Sequence, residues 1–114
     1  METPHLSWSE FEKVVMRVGT ILAVDDFPEA RKPAYKLRID FGKPIGILKS
    51  SAQITERYDK ADLIGKQIVA VVNFPKKQIG KWISDCLVLG AVGLDNDIVL
   101  LTSDFKVANG LRVG

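Results

Sequence analysis

A chain of 114 residues, 46% hydrophobic and 26% charged, is sized for one globular domain with a single core. Its 16 basic and 14 acidic residues leave a net charge of +2, which permits an anionic partner without requiring one, so the placement of charge matters more than its sum. With one cysteine, Cys86, and one histidine, His5, a single chain has no intrachain disulfide, no cysteine- or histidine-built metal site and no imidazole relay.

The amino-terminal Met-Glu-Thr-Pro-His lacks the basic start and apolar core of an export signal. No run approaches the roughly 18 apolar residues of a membrane span. A cytoplasmic protein without membrane insertion is therefore expected. Ser7-Trp8-Ser9-Glu10 has capping-box spacing and predicts a short helix, with Trp8 and Phe11 three residues apart on one face. That aromatic pair needs either its own core or a partner subunit to cover it.

Val14 to Asp26 favours a long first strand with Met16, Val18, Leu22 and Val24 on one face beside Thr20. Gly19 permits a bend or a close backbone approach there. A loop with two prolines, Phe27–Pro33, places Arg31 and Lys32 together. Tyr35–Phe41 alternates cleanly, with Tyr35, Leu37, Ile39 and Phe41 against Lys36, Arg38 and Asp40. Gly42-Lys43-Pro44 turns the chain into a further strand beginning at Ile45–Leu48.

Ser50 and Gln53 again have capping-box spacing, and Ile54 and Tyr58 lie four apart, so a helix of one or two turns is expected from Ser50 to Tyr58. Its start, with Lys49, Ser50 and Ser51, would suit an anionic group. The run Ile68–Phe74 reads as a buried strand ended by Pro75, and Cys86–Gly90 as another. Between them lies a loop with Lys76, Lys77, Lys81 and Trp82, turned by Gly80. Gly93–Asp97 is a turn cluster, Ile98–Leu101 a short strand, and Asn109-Gly110 a tight turn in a packed tail.

Long bent strand, two strands, short helix and two strands is the order of an all-β, five-stranded OB-fold Greek-key barrel with a helix between strands 3 and 4. The expected divisions are a helical extension over 1–13, the barrel over 14–91 and a carboxy-terminal extension over 92–114. The two extensions are candidates for a subunit interface.

Several short segments, in order, carry a family resemblance. They are Arg17-Val18-Gly19-Thr20-Ile21, Phe27-Pro28-Glu29-Ala30-Arg31, Ile39-Asp40-Phe41-Gly42, Lys49-Ser50-Ser51-Ala52-Gln53-Ile54-Thr55, Leu63-Ile64-Gly65-Lys66, Val71-Val72-Asn73-Phe74-Pro75, Leu87-Val88-Leu89-Gly90 and Asn109-Gly110. From about Phe11 to Gly114 the chain resembles the CsaA-like secretion chaperones, built on the tRNA-binding domain that is also appended to some methionyl-tRNA synthetases. The resemblance implies a homodimer joined through its extensions, with Trp8, Phe11, Ile98, Val99 and Leu101 as interface candidates. It also implies binding of precursor or unfolded polypeptides and the export machinery, or of tRNA.

Neither a cofactor nor a metal is expected, and scattered acids argue against catalysis. For tRNA, Lys36, Arg38, Lys49, Lys76, Lys77 and Lys81 would take phosphates while Trp82 or Phe74 stacks on a base. For a peptide, Phe74, Ile79, Trp82 and Ile83 would form an apolar pocket, with Ser50, Ser51 and Gln53 bonding the backbone. Asn73 and Ser84 complete the candidate site within the motifs on either side of the loop.

Overall fold

The computed structural model describes residues 3–114. Helix α1, Trp8–Glu12, opens the described chain, and its capping box is formed as expected. Ser7 Oγ accepts from the Glu10 amide at 3.1 Å, while Glu10 Oε1 accepts from the Ser7 amide at 3.0 Å.

Five strands, antiparallel in every pairing, make a nearly closed barrel: β1, Met16–Asp26; β2, Tyr35–Asp40; β3, Ile47–Ala52; β4, Gln67–Val71; and, beyond the inserted hairpin, β7, Leu87–Val88. They hydrogen-bond in the order β3-β2-β1-β4-β7, so β3 and β7 are the two ends that must meet. The hairpin consists of β5, Lys77–Ile79, and β6, Trp82–Ser84. A second small hairpin pairs β8, Gly90–Val92, with β9, Ile98–Leu100, and β10, Arg112–Val113, adds to β1. No helix among the described residues is long and apolar enough to cross a membrane.

The barrel interior holds Ile21, Val24, Leu37, Ile39, Phe41, Ile54, Leu63, Ile68 and Ala70. The alternation read for β2 is correct, with Leu37 and Ile39 inside and Lys36 and Arg38 on the outer face. The face assigned to β1 is not. Gly19 points inward, since a Cβ there would lie 2.7 Å from both Ile39 and the Phe41 ring. Ile21 follows it inward, and the register shifts between Ile21 and Ala23. That bulge places two residues against one, which turns Leu22 outward and Val24 inward.

The Met16, Val18 and Thr20 face lies instead under the carboxy-terminal segment. Val18 donates to the Leu111 carbonyl, and Thr20 Oγ1 donates to Asn109 Oδ1 at 2.7 Å. From Ile68 to Val71, β4 is apolar because it is covered on both faces, like strands in a sheet packed on two sides.

The expected helix over Ser50–Tyr58 does not form. Ser50, Ser51 and Ala52 continue β3, with Ser50 opposite Leu37 and Ser51 opposite Lys36. Ladder pairing and burial of Ser50 outweigh its local capping preference. Ile54 and Tyr58 still turn into the core in a single turn, and Tyr58 Oη accepts from the Leu100 amide at 3.0 Å. The helix between the third and fourth strands is α2, Lys60–Leu63, one turn later, anchored by fully buried Leu63.

Candidate functional site: a cation-ringed tryptophan and an apolar groove

The β5–β6 hairpin lies against the gap between β3 and β7. Its register pairs Lys77 with Ser84 and Ile79 with Trp82, so these four share one face, while Gln78 and Ile83 share the other. Gly80, at φ +60°, makes the turn in a conformation that a side chain rarely tolerates. The loop of the sequence reading is therefore itself a short β-ribbon, and its inner face is the Lys77, Ile79, Trp82 and Ser84 face.

Trp82 is the hub. Its indole N–H donates to the Ser50 carbonyl at 3.0 Å. Around its ring stand Lys49 Nζ at 5.0 Å, Lys36 Nζ at 5.3 Å and the Arg38 guanidinium carbon at 5.3 Å from the centroid. Arg38 and Lys49 are register partners across β2 and β3, so the pleat brings their side chains onto the outer face together. The ring quadrupole attracts all three cations. None of the three pairs with a carboxylate among the described residues, which leaves their charge available to an anion.

Asp85 fastens the ribbon to the barrel. Its Oδ2 accepts from the Lys49 amide at 2.9 Å, its own amide donates to the Lys49 carbonyl at 2.7 Å, and Oδ1 lies 3.7 Å from Lys76 Nζ. One residue further, Ser50 Oγ donates to the Cys86 carbonyl at 2.7 Å, with Ser84 Oγ on the same oxygen at 3.3 Å. These side-chain bonds join β3 to the start of β7. Burial pushes the Cys86 thiol up to about 12, so it is a packed, protonated group rather than a nucleophile.

Past this clasp the two strands part around a cavity of about 760 Å³. The end of β3 and its continuation, Ser51–Ile54, and the segment Leu87–Gly90 form two of its walls. The 27–34 loop contributes Phe27, Ala30 and Ala34, the ribbon contributes Ile79, and Ile98 and Leu100 come from β9. The lining is largely apolar. Its charged members are Arg31, Lys32 and Lys77, with no carboxylate among them. Lys36 links cavity and cation cluster, because its Nζ also lies 5.7 Å from the Phe27 ring centroid.

The structure thus sorts the candidates from the sequence. Lys36, Arg38, Lys49 and Trp82 converge, and Ser51, Gln53, Lys77 and Ser84 border the cavity. Ser50 is fully buried and spent on Cys86, and no helix start exists beside it to hold an anion. Asn73 is a structural clip that accepts from the Val15 amide and donates to the Lys13 carbonyl. Phe74 and Ile83 are exposed outside the cavity, Lys76 is tied to Asp85, and Lys81 sits exposed at the ribbon turn. Of the four residues expected to form an apolar pocket, Ile79 alone lines this cavity. Sequence reading missed Phe27, Ala30 and Leu87–Leu89 as lining residues. Their apolar spacing is equally that of core, and only the parting of β3 from β7 exposes them.

Among the described residues no group of three or more His, Cys, Asp or Glu side chains could hold a metal ion. At the proposed interface Trp8 is 85% exposed, and Phe11, Val99 and Leu101 are also exposed. Ile98, by contrast, is half-buried and faces the core and the cavity.

Residues 16–112 match the family described as "Putative tRNA binding domain". The chain is 32% identical to the methionine–tRNA ligase of Aromatoleum aromaticum and 30% identical to that of Chlorobium phaeobacteroides, over 96% and 97% of its own length. It spans only 16% and 15% of those two ligases. Among solved structures, chaperone CsaA from Bacillus anthracis is 45% identical with a TM-score of 0.92, and CsaA from Picrophilus torridus is 51% identical with a TM-score of 0.90. The alignments cover 97% and 96% of this chain and the whole of each of those structures. In fold and in sequence alike, this chain belongs to the tRNA-binding domain family, and it is similar over nearly its whole length to the CsaA chaperones.

Proposed function

We propose that the chain is a non-enzymatic, homodimeric CsaA-like chaperone of the cytoplasm that binds unfolded or precursor polypeptides on their way to export. The observation that carries this reading is the open apolar cavity between β3 and β7, bordered by Ser51, Gln53 and Ser84 and lined by no carboxylate. Apolar walls with a few polar groups at the rim suit a chain segment whose side chains enter while its backbone bonds to the rim. In this reading residues 14–91 supply the binding barrel and the extensions 1–13 and 92–114 supply the dimer contacts. Trp8, Phe11, Val99 and Leu101, with Leu94 at 90% exposure on the β8–β9 turn, are the apolar surface a second copy would cover.

Filling the cavity tests the assignment. Ala30 is half-buried in the 27–34 loop and lines the cavity, so Ala30→Trp places an indole inside it. Binding of a fluorescent, permanently unfolded polypeptide is expected to weaken at least tenfold while tRNA binding holds. Unchanged polypeptide affinity in a folded variant would remove the cavity from the mechanism. Sedimentation of wild type and a Trp8→Ala/Leu101→Glu variant checks the dimer, with a shift to monomer in the variant expected.

A second reading, a stand-alone tRNA-binding protein, is favoured by one observation, the Lys36, Arg38 and Lys49 cluster around Trp82. Cations on the β2–β3 face beside an aromatic ring suit phosphates flanking a stacked base.

A further inference from the structure

We infer that the cavity selects polypeptide segments whose apolar residues are flanked by carboxylates, and that Arg31, Lys32 and Lys77 make the selection. The inference rests on the reading of the cavity as a peptide site. Its basis is the one-sided charge of the lining, three bases and no acid. Arg31 and Lys32 come from the 27–34 loop and Lys77 from the ribbon, so two separate elements bring the same sign to the same opening. All three are exposed, and none pairs with a carboxylate among the described residues.

Several acids are already engaged elsewhere. Asp26 bonds Lys60, Asp97 holds Arg57, and Asp85 is fixed on the Lys49 amide beside Lys76. An incoming carboxylate therefore meets cations without displacing an internal pair. An incoming Lys or Arg meets like charge and finds no acid in the lining. Apolar walls strengthen both effects by lowering the local dielectric around the opening. A basic flank, such as the amino-terminal region of a secretory signal, is disfavoured at this site. The groove thus engages acidic stretches of a precursor chain instead.

Three fluorescein-labelled peptides test the inference, each with the same apolar core and with two Glu, two Gln or two Lys at either end. Their affinities are measured by anisotropy at low and high salt, on the full chain. The Glu-flanked peptide is expected to bind wild type about tenfold tighter than the Lys-flanked one at 50 mM salt, with the Gln-flanked peptide between them. The spread should collapse toward unity at 500 mM salt.

Arg31→Glu/Lys32→Glu should reverse the order of the Glu- and Lys-flanked peptides in a variant that melts like wild type, since both side chains are exposed and the core is untouched. Equal affinities in wild type, or tightest binding of the Lys-flanked peptide, overturn the charge selection and leave the peptide groove standing. No binding of any of the three peptides overturns the groove reading and the selection together. Persistence of the original order in a variant that melts like wild type removes Arg31 and Lys32 from the role.

Discussion

Replacing Lys36 and Lys49 together by alanine tests whether the cation cluster around Trp82 is a surface that binds tRNA. The wild-type cluster offers three cations within 5.0–5.3 Å of one indole, without carboxylate partners among the described residues. Each phosphate neutralised contributes about 0.7–0.9 to the slope of log affinity against log salt. Three contacts give a slope of roughly 2–2.7, so raising salt fourfold, from about 50 to 200 mM, weakens binding about 20- to 40-fold. With Arg38 alone the slope falls to roughly 0.7–0.9, and the same rise in salt costs only about threefold.

The fold should survive the double change. Both side chains leave the outer face of their strands, and the ties of Lys49 to Asp85 are made by its backbone. Labelled tRNA titrated at several salt concentrations gives the slope directly, with a melting curve as the control. A double variant whose slope stays within about 0.3 of wild type would refute the assignment, because the phosphates would then be held elsewhere.

Further outcomes follow from the clasp and the tail. Ser50→Ala should cost about 1–2 kcal/mol, lowering the midpoint of thermal unfolding by several degrees, because it strips the shorter of two hydroxyl bonds from the Cys86 carbonyl. Ser84→Ala alone should cost under about 0.5 kcal/mol, and the double variant more than the sum, since the carbonyl then lacks both hydroxyl donors; strict additivity would show that the two hydroxyls do not share it. The native Cys86 thiol should resist alkylation at pH 8 and react once denatured. As its folded pKa of about 12 lies above the unfolded 9.0, its contribution to stability should be intact below pH 9 and decline as pH climbs toward 12, measured by denaturant melts across that range. Gly110→Ala should destabilise by about 1–3 kcal/mol and expose the tail to proteolysis, because φ is +88° there and a Cβ would lie 2.5 Å from the Phe41 carbonyl oxygen.

Local pattern alone determined much of this protein. The Ser7–Glu10 capping box, the strict alternation of β2, the unbroken apolar run of β4 and the Asn109-Gly110 turn each express a rule that acts over a few residues, and each appears where the sequence places it. Together with the other short apolar runs, their order is that of a five-strand barrel, and the alternation of β2 puts Lys36 and Arg38 on its outer face.

Contacts between distant segments decided the rest. Which face of β1 looks inward depends on Phe41 needing the space above Gly19 and on a bulge after Ile21, neither of which is written in the spacing of β1. Ser50 forgoes a helix cap because a strand position opposite Leu37 also lets it reach the Cys86 carbonyl, thirty-six residues away. The groove belongs wholly to this second category. Its walls are ordinary core residues, and it exists because β3 and β7 are joined by side chains at Lys49–Cys86 and then separate. A cavity of that kind is a property of two strands failing to stay together, which no single stretch of sequence encodes.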